Sequence, residues 1–146
     1  VHPFAQTIEK QYKKRELLFK NNLLPKFEIK TIKAVQSIAG EKTEFVDWFE
    51  ALEHMKLEID KVDYDICLIG CGAYGFPLAS HVKRRGKKSV HLGGSLQLLF
   101  GIKGKRWGGS YSRDFDYASL SNEHWTYPSN DERPCNVSKV EDACYW

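Results

Sequence analysis

Three glycines in Gly70-Cys71-Gly72-Ala73-Tyr74-Gly75 have the spacing of a phosphate-binding turn. They follow a short apolar run at 64–69 and precede a segment with helical character. In that setting the first glycine permits a tight turn. The second lets backbone approach a phosphate, and the third lets helix and strand pack closely. A helix starting near Phe76 would aim free N–H groups and a positive dipole end at the anion. Gly70, Gly72, Ala73, Tyr74 and Gly75 are therefore candidate phosphate contacts. The simpler alternative is a turn that only joins strand to helix.

Other residues fit the same chemistry. His91 sits at the carboxyl end of a second strand-like segment and is followed by Gly93, Gly94, Ser95 and Gln97. Ligands of open parallel sheets bind at the carboxyl ends of strands. His2, Ser37, the 70–75 turn and 91–95 should thus face one edge, with Gln97 in reach. His91 would contact a ribose or phosphate, act as a base, or simply cap its strand. Lys103, Lys105, Arg106 and Trp107 combine three cations with an aromatic, which suits a diphosphate and a stacked base or sugar. Asp114 and Asp116 form an Asp-x-Asp pair of the kind that can hold Mn²⁺ or Mg²⁺ against a diphosphate. Glu123 and His124 are a candidate acid/base pair.

A nicotinamide or flavin domain should carry Asp or Glu at the end of the strand after the glycine turn, to hold ribose hydroxyls. Ser89-Val90-His91 stands there instead. That argues against an NAD or FAD oxidoreductase.

The elements that must position these residues alternate. The chain opens on Val1-His2-Pro3-Phe4, which reads as the end of a strand. Residues 8–19 read as a helix broken by Asn21-Asn22 and Pro25. Residues 27–35 alternate apolar and polar with period two, a strand signal. Thr43 is a plausible N-cap for a helix whose apolar stripe is Phe45, Trp48, Phe49, Leu52, Met55 and Ile59. Asp47, Glu50 and Glu53 read as its solvated side. Residues 64–69 read as a buried parallel strand, and 88–92 as another strand. Between them runs a helix with Pro77 in its first turn and a stop at Gly86. Residues 96–100 read as a short helix. Alternation of this kind predicts an α/β fold, a Rossmann-like parallel sheet with flanking helices. The expected nucleotide-binding domain spans 1–102, with its first strand incomplete. Residues 103–146 lack periodicity but carry many aromatics, and read as a long irregular C-terminal arm packed on that domain or on a second copy.

The bulk numbers permit this. The chain has 146 residues, 42% of them hydrophobic and 28% charged, an ordinary globular mix. Its net charge of +3 does not call for a nucleic acid partner. Basic clusters at Lys83-Arg84-Arg85 and Lys87-Lys88 suit a small anion, an anionic membrane surface, or a helix end. No run is long enough to span a bilayer. No signal peptide is read, and the four cysteines match no zinc spacing. The expected setting is cytoplasmic, at most the inner face of a membrane.

The stretch from Ile69 through Ala79, followed by Gly86-Lys87-Lys88-Ser89-Val90-His91-Leu92-Gly93-Gly94, resembles the carboxyl-terminal part of GT-D-type glycosyltransferases. The run 91–107, with Asn122-Glu123-His124-Trp125 and Glu141-Asp142-Ala143-Cys144-Tyr145-Trp146, is similar to little-characterised proteins of surface-polysaccharide gene clusters. The resemblance implies a nucleotide-sugar donor with its diphosphate near the glycine turn, a glycan acceptor, and an acidic metal motif that this chain does not place. Lys105 and Arg106 would then neutralise the leaving diphosphate. Two other readings stay open: a nucleotide- or phosphate-binding module without catalysis, perhaps oligomeric, and the disfavoured oxidoreductase.

Overall fold

The structure is a computed structural model and describes residues 1–108 and 116–146. It is a small mixed α/β fold with a two-stranded parallel sheet. Strand β1 (Ile66–Ile69) pairs with β2 (Lys88–His91), with Ile66 opposite Lys88 and Ile69 opposite His91. Helix α4 (Gly75–Arg84) makes the crossover. Its stop is Gly86, whose φ of +77° an L side chain adopts at a cost.

Single bridges widen the parallel arrangement beyond β1. Val1 N donates to the Leu68 carbonyl (2.7 Å), and Gly70 N donates to the Val1 carbonyl (2.9 Å). On its other side His2 bridges Lys33 in parallel. His2 N donates to Ile32 O (3.1 Å) and Ala34 N to His2 O (3.2 Å). The spatial order is therefore 32–34, 1–2, β1, β2. The period-two segment 27–35 joins the sheet only at this bridge. The rest of it makes no ladder, because no paired neighbour lies alongside.

Alternation along β1 sends side chains to two cores. Cys67 and Ile69 face one with Leu52, Met55 and Ile59 of α3 (Trp48–Asp60) and with Leu78 and Val82 of α4. Leu68 faces the other with α1 (Ala5–Tyr12), α5 (Ser95–Leu99) and the C-terminal arm. Parallel strands covered on both faces lose the polar alternation of half-exposed ones.

The helix ends differ from the sequence reading in two places. The N-cap of α3 is Asp47, not Thr43: its carboxylate accepts from Glu50 N (2.9 Å), while Glu50 accepts from Val46 N (2.6 Å). Asp47 and Glu50 thus cap the helix while remaining, like Glu53, exposed on its solvated side. The single helix expected at 8–19 is α1 followed by α2 (Arg15–Leu18), because the chain turns at Lys13-Lys14. Helix α1 has no cap of its own. Buried Glu132 of the arm takes that place, accepting from Gln6 N (2.8 Å), Thr7 N (3.2 Å), the Thr7 hydroxyl and Ser129 Oγ (2.9 Å). A carboxylate there satisfies free amides and complements the dipole.

The C-terminal arm lies against α1 and α5. Trp125 and Trp146 are buried against the α1–α5 face, and Trp125 Nε1 donates to Leu18 O (2.9 Å). Among the described residues, no helix is long and apolar enough to cross a membrane.

Candidate functional site

The carboxyl ends of the parallel segments gather His2, the glycine turn and the 91–94 loop. The three turn glycines have three different surroundings. A Cβ on Gly70 would sit 2.6 Å from the Gly93 carbonyl and 2.7 Å from the His2 ring, so Gly70 allows three segments to meet. A Cβ on Gly75 would overlap the His91 ring. Gly72 alone is open: its φ is +55° and nothing lies within 4 Å of that position. Gly72 and Ala73 are exposed and open the short turn Gly72–Tyr74, which runs straight into α4. Among the described residues, neither of their N–H groups has a protein acceptor. Tyr74 turns inward, stacking on Trp48 at 5.0 Å with its hydroxyl 3.0 Å from Ser37 Oγ. Only its backbone belongs to the turn's outer surface.

Two histidines flank this turn in opposite tautomers. His91 Nδ1 lies 3.2 Å from the Ile69 carbonyl, which can only accept, so Nδ1 carries the proton and Nε2 keeps its lone pair. His2 Nδ1 accepts from Phe4 N (3.0 Å), so its proton sits on Nε2. Burial, then the neighbouring Val1 ammonium, holds the His2 pKa down to about 3, and the ring is neutral. Cys71 within the turn is no nucleophile at neutral pH: burial pushes its thiol up to about 12.

The arm closes one side. A Cβ on Gly94 would meet the Tyr145 ring at 2.7 Å and Trp107 at 3.3 Å. Arg106 donates to the Tyr145 hydroxyl (2.5 Å), lies over its ring and pairs with Glu141 at 3.5 Å. Lys105 Nζ donates to Asp142 O (3.0 Å). Both cations expected to clamp a diphosphate are thus engaged by the chain's last residues, and both remain exposed. Lys103 is held through its backbone, donating to Thr126 O (2.6 Å). From the sequence Tyr145 reads only as one of the arm's aromatics, because its contact with Arg106 depends on the arm folding back.

Gln97 does not reach the edge. It is 1% exposed, and its amide donates towards Ile102 O (3.5 Å), Lys103 O (3.3 Å) and Tyr145 O (3.2 Å). Ser95 is exposed at the start of α5.

No protein-family model, curated protein or solved structure matches this chain.

The other candidates stand apart from the turn. Exposed Glu123 lies 3.6 Å from half-buried His124. Their segment is tied to the first helices: Asn122 donates to Leu17 O (2.9 Å), and Gln11 donates to His124 O (3.0 Å). Among the described residues, no hydrogen bond, ion pair or ring contact joins them to His91. Asp116 caps the turn Tyr117–Leu120 by accepting from Ser119 N (3.3 Å). Asp114 lies outside the described residues. Among the described residues, no three His, Cys, Asp or Glu side chains converge.

Proposed function

We propose that this chain is a Rossmann-like domain that binds the diphosphate of a nucleotide sugar over Gly72 and serves sugar transfer in surface-polysaccharide synthesis. The observation that carries the reading is the order 32–34, 1–2, β1, β2. Helix α1 leaves 1–2 towards one face, while α3 and α4 pack on the other. The order reverses between 1–2 and β1, and a crevice at such a reversal is where doubly wound sheets hold ligands. The glycine turn stands there, with Gly72 clear of side chains.

In this reading the Gly72 and Ala73 N–H groups take phosphate oxygens, and the start of α4 supplies favourable dipole charge. His91 Nε2 would accept a proton from an acceptor hydroxyl, while His2 is buried against Gly70 and serves the packing of the turn. Arg106 and Lys105 would have to leave Glu141, Tyr145 and Asp142 to reach a diphosphate. A divalent cation, if used, would add positive charge at the leaving group. Asp116 as placed is a turn cap and does not form a site for one by itself.

A second reading, nucleotide binding without turnover, is favoured by the separation of Glu123 and His124 from the turn. The oxidoreductase reading still lacks its carboxylate at the end of β2.

The test is a thermal-shift screen against UDP, GDP, dTDP, CDP, NAD and FAD, with and without Mn²⁺, on the wild type and on Gly72→Asp. A ligand at a hundred times its dissociation constant adds about 2.7 kcal/mol to stability. One nucleoside diphosphate should stabilise the wild type and not the variant. No stabilisation by any of them overturns the reading. Binding with no hydrolysis or transfer of the matching sugar nucleotide selects the second.

A further inference from the structure

A cleft of about 500 Å³ lies at the amino end of the sheet, away from the glycine turn. One wall is residues 27–32 and the other is 62–68. Val1 lines the cleft and is bonded to Leu68 and Gly70, and His2 is bonded to Ile32 and Ala34.

Both walls are strand edges. Leu68 turns its carbonyl to Val1, and the N–H and C=O of one strand residue point the same way, so its N–H faces the cleft. Ile32 turns its carbonyl to His2 and presents its N–H likewise. Among the described residues, the Lys30 and Ile32 amides donate to no acceptor. Apolar side chains close the cleft above and below: Ile59 from one core, Ile8, Leu96 and Phe100 from the other, with Val62 at its lining. The Lys30 ammonium crosses from wall to wall to the Asp63 carbonyl (3.0 Å).

Two unpaired edges with apolar cover on both faces are the surroundings of a central parallel strand. Unpaired edges recruit extended chain. Here the register is already set by Val1 opposite Ile69 and His2 opposite Lys33. Counting back from it, about four residues would lie between 28–31 and 65–68.

We infer that this cleft is the seat of an extended apolar strand of polypeptide that runs in parallel register into Val1. The strand pairs with Lys30 and Ile32 on one side and Leu68 on the other. It is apolar on both faces and displaces the Lys30 side chain from Asp63. The inference rests on the cleft and its edges and stands apart from the nucleotide reading.

The experiment extends the chain ahead of Val1 by Val-Ile-Ile-Val behind a short polar leader. The control carries Gly-Pro-Gly-Pro in the same place. Amide exchange at Lys30, Ile32 and Leu68 is followed by NMR. Exchange should slow at least tenfold in the apolar extension, with the control matching the unextended chain. Equal exchange in both extensions overturns the inference. Loss of the native fold by the apolar extension while the control folds also overturns it. Protection by the free peptide in trans, but not by the joined strand, overturns it as well, because the occupant would then belong to another chain.

Discussion

The His91 imidazole occupies the space a Gly75 side chain would need, and its Nδ1 points at the carbonyl of Ile69, directly across the β1–β2 ladder. The third glycine of the motif is therefore explained by a histidine on the next strand. Gly75→Ala should cost about 1–3 kcal/mol through overpacking. His91→Ala should remove most of that cost when the two are combined. A double-mutant cycle in urea measures the coupling. Additive losses would show that the ring and Gly75 are not in contact.

Glu132 joins the arm to the start of α1, and replacing it should loosen both. Glu132→Ala leaves the Gln6 amide and the buried Thr7 amide without their acceptor. It should cost about 2 kcal/mol, the scale of a lost cap or an unpaired buried donor. Glu132→Gln keeps one acceptor oxygen and should lose less. The check is the urea midpoint of each variant, with helix content read by circular dichroism.

Acid sensitivity should trace partly to His2. Its unfolded pKa is near 6.5, and in the fold burial holds it at about 3. The folded value is depressed, so the contribution is full above about pH 6.5 and declines as pH falls towards 3. Within that window one such group changes stability by up to about 1.4 kcal/mol per pH unit. His2→Asn can still accept from Phe4 N and does not titrate. Stability of the wild type minus that of this variant should therefore fall between pH 6.5 and 4. A flat difference would place His2 in solvent.

Gln97 holds three carbonyls at the junction of α5 and the arm. Gln97→Leu keeps the volume and strands those acceptors, at about 1–3 kcal/mol. The arm should open first, because Tyr145 is one of the partners. Limited proteolysis should cut beyond Lys103 faster in the variant, with 1–100 initially intact. Unchanged cleavage would show that Trp125 and Trp146 alone hold the arm.

Residues 64–69 and 88–92, the helix between them and its stop at Gly86 were legible because each signal is local. An apolar run bounded by glycine, or a proline in a first turn, constrains its own backbone. The α/β class followed from their alternation. The 27–35 segment shows the limit of such signals. Its period-two pattern is real, yet only Lys33 bridges, since a strand needs a partner as well as a pattern.

The sequence by itself determined where the chain can turn and which residues can be apolar strands: Gly72 at φ +55° and Gly86 at φ +77° are properties of single residues. Tertiary structure alone decided the neighbours. It put His91 against Gly75, Glu132 at the start of α1, Gln97 under Tyr145, and Glu123 with His124 beside the first helices rather than the turn. Those contacts join residues distant in the chain, and their geometry is set by how two cores close on one small sheet. No local pattern encodes that distance.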